Sequence, residues 1–297
     1  MPADALNYSY VAEELDAFLS GGRIDKITMP MRDTVALFIR AQGKNRCLYV
    51  SADPQSPRCH LTERTFENPV TAPSFLMHLR KHIGGGKIES VTLTPFERVI
   101  KIKISSSTEL RTTSEKTLVI EIMGKYSNII LLSENGTVSE CLRHISPDVS
   151  SKRVVLPSIK LAPPPPQNKA VCESEKTLTG VLDGYAGGNL CGYILKNVSG
   201  LAPASIKEAV FSALGTTEKS ALSPDEKISI AKSLIGLYDK NSLAPCVAIS
   251  DGKPTDFFFR PYSFGGNEFK SFETLNDAME YYYSAADGDK RKSQKAK

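Results

Sequence analysis

The stretch VIEIMGKYSNIILLSENG, residues 119–136, decides how this chain is read. Val119, Ile120 and Ile122 lead into a polar knot, and Ile129, Ile130, Leu131 and Leu132 lead out of it. A plain hairpin needs only two turn residues, commonly Asn-Gly or Asp-Gly. Here Gly124, Lys125, Tyr126, Ser127 and Asn128 stand between the apolar runs. Gly124 lets the chain reverse, and Ser127 and Asn128 can bond its backbone. Lys125 and Tyr126 add a charge and a stacking face, which single-stranded RNA requires of a protein surface. The reading is a rigid hairpin whose tip serves recognition. The alternative is a Tyr126 folded onto the core and a Lys125 that is only solvated.

Outward from this hairpin the pattern is mostly that of strands. Residues 87–93, 98–105, 117–123 and 128–132 read as a meander, extended by 138–144 after the Asn135-Gly136 turn. Earlier strands are expected at 23–27, 34–40 and 47–51. Two helices interrupt them. The first runs over about 8–19, with Val11, Leu15, Phe18 and Leu19 on one stripe and Gly21-Gly22 ending it. The second lies in TAPSFLMHLRKHIGGG: Pro73 suits its first turn, Phe75, Leu76, Leu79 and Ile83 form its apolar stripe, and three glycines stop it. His78 and His82 are four apart on that helix, a spacing able to bind metal. No third ligand stands near them in sequence, so no metal is expected.

Hydrophobic content of 41% with 24% charged residues is ordinary for a chain that builds a core. No run of 18 apolar residues occurs, so no membrane span is expected. The N-terminus lacks a basic leader and apolar segment, so the chain is expected in the cytoplasm. Six cysteines without a CxxC pair argue against a zinc ribbon and a disulfide framework. The net charge of +4 is unevenly placed: residues 75–103 hold Arg80, Lys81, Lys87, Arg98, Lys101 and Lys103 against Glu89 and Glu97. Such a basic patch suits a phosphate-bearing partner, or is a solvated face balanced by acids elsewhere in space.

A break comes at residues 163–166, four consecutive prolines that favour an extended connection. Past it the composition turns helical. NVSGLAPASIKEAV reads as two helices about a turn, with Gly200 ending one and Pro203 opening the next. Ser199, Gly200 and Leu201 are therefore a candidate phosphate-binding hairpin, since exposed N–H groups at a helix start hold anions. A plain αα-hairpin is equally compatible. Strands return with CVAIS and TDFFFRPY, a last helix starts near Phe272, and the chain ends in the basic stretch DGDKRKSQKAK.

In order, GGRIDKITMP, DTVALFIR, LYVSADPQSPRCHLT, ENPVTAPSFLMHLRKHIGGGKI, FERVI, EIMGKYSNIIL and PPPPQNK resemble the N-terminal region of the NFACT family, whose bacterial members include RqcH and fibronectin-binding protein A-like proteins. The resemblance covers essentially the whole chain. It implies an α+β fold: residues 1–167 as a β-rich domain similar to the N-terminal domain of formamidopyrimidine-DNA glycosylases, and 168–240 as a helix-hairpin-helix domain. Residues 241–285 would return to the N-terminal domain, and 286–297 would begin a coiled coil or form a tail. The chain would then be the N-terminal part of a longer protein.

The resemblance further implies a non-catalytic module that binds tRNA and a large ribosomal subunit blocked by peptidyl-tRNA. Stalled chains would be extended with alanine by the ribosome's own chemistry, without a cofactor. Asp4 matches the family's N-terminal acidic residue, and Glu97-Arg98 its acidic-arginine pair, with glutamate where better-known members have aspartate. Arginine can stack on a base and bond two acceptors at once. The expected tRNA-binding set is thus Asp4, Glu97, Arg98, Lys125, Tyr126, Arg80 and Lys81. Two alternatives stand beside it. One is a surface adhesin that binds fibronectin. The other is a glycosylase-like enzyme using an N-terminal Pro2 amine, although the cysteine-ligated zinc finger of those enzymes has no counterpart here.

Overall fold

The computed structural model describes residues 3–66, 71–107, 113–266 and 268–295, so Met1 and Pro2, on which the glycosylase alternative rests, lie outside the described residues. The fold is α+β and the chain divides into two compact units. One comprises Val11–Thr94 and Arg98–Pro166; the other comprises Pro2–Tyr10, Pro95–Glu97 and Gln167–Lys297.

Helix α1 (Ala5–Leu19) opens the chain. It begins three residues before the expected start because Asp4 caps it, accepting from the Asn7 N–H at 2.8 Å. The first unit is then built on β1 (Arg23–Thr28), β2 (Thr34–Ala41), β3 (Lys44–Ser51), β4 (Arg58–Thr62), β5 (Lys87–Leu93), β6 (Val99–Ser107), β7 (Thr113–Glu121), β8 (Asn128–Ser133) and β9 (Val138–Cys141). They form one antiparallel sheet in the order β4-β3-β2-β1-β5-β6-β7-β8-β9. Strict alternation builds β6: Ile100, Ile102 and Ile104 are fully buried while Lys101 and Lys103 face solvent. The register pairs Ile100 with Ile120 and Ile102 with Leu118, so the buried positions of two strands fall on one face.

Helix α2 (Ser74–Ile83) buries Phe75, Leu76, Leu79 and Ile83 as its stripe requires and packs on β1, β6 and β9. Gly86 follows because a side chain there would come within 2.7 Å of the Ile104 methyl. The last strand of the meander is shorter than expected, ending at Cys141. Leu142 and Arg143 bend away, and the Arg143 N–H is taken by Asn128 Oδ1 at 2.9 Å.

The second unit holds α3 (Glu175–Asp183), α4 (Leu190–Asn197), α5 (Pro203–Leu214) and α6 (Pro224–Gly236), then β10 (Cys246–Ser250), β11 (Lys253–Phe258) and β12 (Glu268–Ser271) in the order β11-β10-β12, and α7 (Leu275–Lys295). Helix α6 starts at a full capping box: the Ser223 hydroxyl accepts from the Glu226 N–H while Glu226 accepts from the Ser223 N–H. Buried Glu208 closes the loop after β11, accepting from the backbone N–H groups of Ser263 and Phe264 and from the Ser263 hydroxyl. Among the described residues no helix is long and apolar enough to cross a membrane.

One strand residue makes this unit pH-sensitive. Burial, aided by the negative charge of Asp4, pushes the Asp256 carboxyl on β11 up to about 7 from the usual 3.8. The folded-state value lies above the unfolded one, so the folded chain holds a proton that the unfolded chain has released. Stability therefore falls as pH rises from about 4 to about 7, and the full penalty is present above that window. Asp256→Asn is expected to flatten this dependence and raise stability at pH 8, by at most about 4 kcal/mol. Denaturant melts at pH 5 and pH 8 check it; parallel losses in wild type and variant would refute it.

Candidate nucleic-acid interface

The knot in the decisive hairpin is a single 3-10 turn, Gly124–Tyr126, with Gly124 at φ 59°. Its foundations are buried. The Ser127 hydroxyl accepts from the Met123 N–H at 2.9 Å, and Asn128 Oδ1 accepts from the N–H groups of Ile129 and Arg143 while its amide donates to the Arg143 carbonyl. Arg143 then clamps the tip. Its guanidinium donates to the carbonyls of Lys125 and Ser127, and also to Asp33 Oδ1 at 3.1 Å and the Ala52 carbonyl at 2.9 Å.

What the clamp presents is Tyr126, 65% exposed, with the Lys125 ammonium 4.9 Å from its ring centroid. The ring does not fold back on the core. An exposed aromatic ring on a fixed backbone can stack on a base with little ordering cost, and the adjacent cation can approach a phosphate.

The sheet register carries Arg98 to the same end. The Ile122 N–H donates to the Arg98 carbonyl at 2.9 Å, two residues before the turn. Arg98, the residue just before β6, is half-buried, and so is Glu97 before it. Phe96, one residue earlier, holds the left-handed conformation with φ 58°, strained for an aromatic residue. Its ring meets Tyr238 edge-on at 5.6 Å. On α2, Lys81 is exposed, whereas Arg80 is half-buried and gives its Nε–H to the Ile27 carbonyl at 3.0 Å. Arg80 lies in a groove lined by Asp25, Lys26, Gly84 and Gly85.

Asp4 is placed differently from the surface role expected of it. It is 4% exposed and its carboxylate faces the protein. Oδ1 accepts from the Asn7 N–H and side-chain amide at the start of α1. Oδ2 accepts from the Ala202 N–H at 2.9 Å and the Ser205 hydroxyl at 2.6 Å at the start of α5. Helix α5 has Ala202 as its N-cap and no side-chain cap of its own, so Asp4 supplies one from the other end of the chain. The anion that the candidate hairpin Ser199, Gly200 and Leu201 was expected to take from a nucleic acid is, at Ala202, an internal carboxylate. Gly200 itself needs its φ of 83°, and its carbonyl accepts from the Leu6 N–H.

Arg143 and Asp33 are the contributors that no local pattern signals. Arg143 reaches partners 110 and 91 residues away.

Over residues 4–297 the chain matches the family model described as NFACT N-terminal and middle domains. It is 32% identical over 291 residues to the "Rqc2 homolog RqcH" of Bacillus subtilis (strain 168), covering 96% of this chain and 49% of that protein. It is 30% identical to the protein of the same name from Streptococcus pneumoniae, covering 99% of this chain and 50% of that one. The chain thus spans about half the length of the curated relatives it matches. Among solved structures it resembles the fibrinogen binding protein from Staphylococcus aureus, with TM-score 0.80 and 27% identity over 95% of this chain and 99% of that one. The N-terminal part of the fibronectin/fibrinogen-binding protein from Streptococcus suis follows at TM-score 0.79 and 25% identity, covering 95% and 98%. This chain belongs to the NFACT family, whose N-terminal and middle domains it comprises.

Proposed function

We propose that this chain is the tRNA- and large-subunit-binding module of a ribosome-associated quality control factor. It recruits tRNA so that stalled nascent chains, still held as peptidyl-tRNA, are extended with C-terminal alanine. Membership of the family and similarity to the RqcH proteins support this class. The observation that carries the reading is the clamped tip: an exposed tyrosine and lysine on a turn held by Arg143, at the sheet end where the Arg98 carbonyl accepts from the Ile122 N–H just before β6. Such a module needs no nucleophile, since peptide-bond chemistry belongs to the ribosome, and we assign it no enzymatic activity. The finer fold reading, a glycosylase-like first domain and a helix-hairpin-helix second one, is part of this proposal. Support for the latter is the α4–α5 pair turning at Gly200.

Binding of tRNA to the chain at two salt concentrations tests it. Tyr126→Ala is expected to weaken binding by the stacking of one base, about 1–3 kcal/mol. Lys125→Ala should reduce the salt slope by roughly one. Arg98→Ala should erase preference among tRNAs while leaving the salt slope largely intact. Equal, unselective and weak binding by all four proteins would refute the reading. A second reading has support in the structural neighbours named for fibronectin and fibrinogen. Saturable binding of purified fibronectin that survives at high salt, with no tRNA selectivity, would favour it instead.

A further inference from the structure

Three of the chain's four histidines gather around one edge of the large sheet. The rings of His78 and His82 on α2 lie 4.2 Å apart, and His78 Nε2 shares a 2.8 Å hydrogen bond with the Ser139 hydroxyl on β9. The next residue, Glu140, accepts from His144 Nε2 at 2.7 Å and from the Cys141 N–H. A register shift between β8 and β9 falls at this point of the edge strand. The carboxylate of Glu140, the thiol of Cys141 and the imidazole of His144 consequently offer ligand atoms that all lie within 4.8 Å of one another. No short sequence pattern foretold it, because the thiol and the imidazole are three residues apart on a bend rather than on a helix or a knuckle.

We propose that Glu140, Cys141 and His144 bind a divalent cation of borderline softness, Zn2+ foremost, with the fourth position left to water or to an imidazole from α2. One oxygen, one sulfur and one nitrogen donor suit that ion and not Mg2+ or Ca2+, which require all-oxygen shells. Coordination forms a metal–sulfur bond and releases the thiol proton to solvent, while the Glu140–His144 hydrogen bond gives way to two metal bonds. The Cys141 thiol now donates to the Val155 carbonyl at 3.7 Å, a contact that coordination replaces. His144 is 54% exposed on its side chain, which leaves the ion a path in. A bound ion would tie the end of β9 to the bend that carries Arg143, the residue that clamps the Gly124–Tyr126 turn.

Titration of the chain with Co2+, a spectroscopic stand-in for Zn2+, tests this. The expected result is a one-to-one complex with a thiolate-to-cobalt absorption in the near ultraviolet, displaced by Zn2+. Cys141→Ser should abolish that absorption. His144→Ala, at an exposed position that does not endanger folding, should weaken binding at least tenfold, and Glu140→Gln likewise. The double variant His78→Ala/His82→Ala should still give the thiolate band. Absence of the band in the wild type overturns the proposal. So does binding that His144→Ala leaves untouched and the His78/His82 variant removes, since the ion would then sit on the α2 histidine pair alone.

Discussion

Asp4→Ala is expected to lower stability by about 2–4 kcal/mol. The side chain caps α1 through one oxygen and α5 through the other, so one substitution removes two helix caps. Loss of a single N-cap to alanine costs about 1 kcal/mol. The Ala202 N–H and the Ser205 hydroxyl lose a charged acceptor, and a buried donor left without a partner costs about 1–3 kcal/mol. The Ser205 hydroxyl has a fallback 3.0 Å away in the Tyr262 hydroxyl, which holds the sum below the arithmetic maximum. At about 2–4 °C per kcal/mol for a unit of this size, the melting midpoint should fall by roughly 5–15 °C. Asp4→Asn should fall in between, because its Oδ1 can still cap α1 while its amide turns a donor toward the α5 N–H. Hydrogen exchange should speed up at the Asn7 and Ala202 amides. The experiment also separates two roles. If the melt moves by less than about 0.5 kcal/mol and tRNA binding vanishes, Asp4 is a reader of RNA and the two caps are incidental.

The same residue shows what the sequence carries and what it hides. An acidic residue just before an amphipathic stretch is a local cap signal, and it predicts the start of α1 once the cap is recognised. Its second helix lies 198 residues away, and nothing in the local pattern points there. The meander is legible for a similar reason: alternation at Ile100, Ile102 and Ile104 is a period-two signal, and Gly84-Gly85-Gly86 punctuates it. Edge strand β4 escaped because Arg58–Thr62 has no such contrast, its arginine and histidine being buried with the rest. Helix α6 is a different case, since Ser223-Pro224-Asp225-Glu226 is a full start signal beside a weak apolar stripe.

Within the candidate interface, the exposed Lys125 and Tyr126 could be read from their spacing in the turn. The clamp that makes the turn rigid could not. Arg143 looks like any surface cation until the fold places Asp33, Ala52 and the tip carbonyls around it. Recognition residues are local features of a loop, whereas the rigidity that gives them value comes from contacts between distant segments.

Arg153→Met is expected to lower the stability of the first unit by about 3–5 kcal/mol. Arg153 grips Glu121 with two parallel bonds, at 2.9 and 2.6 Å, and gives its Nε–H to the Ala162 carbonyl. The two side chains are 10% and 1% exposed. Removing the guanidinium leaves a carboxylate in an apolar surround, and an uncompensated buried charge is the costly half of such a pair. Replacing both partners, as Glu121→Leu with Arg153→Met, should recover most of the loss, because two buried charges and their desolvation disappear together. A double variant no better than the single one would mean that Arg153 acts through Ala162 and the following proline-rich segment rather than through Glu121. The position gives the pair its functional weight: Glu121 is the last residue of β7, and the chain from it runs directly into the Gly124–Tyr126 turn. A unit that loses this anchor should lose the tip's ordering too, so Arg153→Met should weaken tRNA binding even under conditions where the chain is still folded.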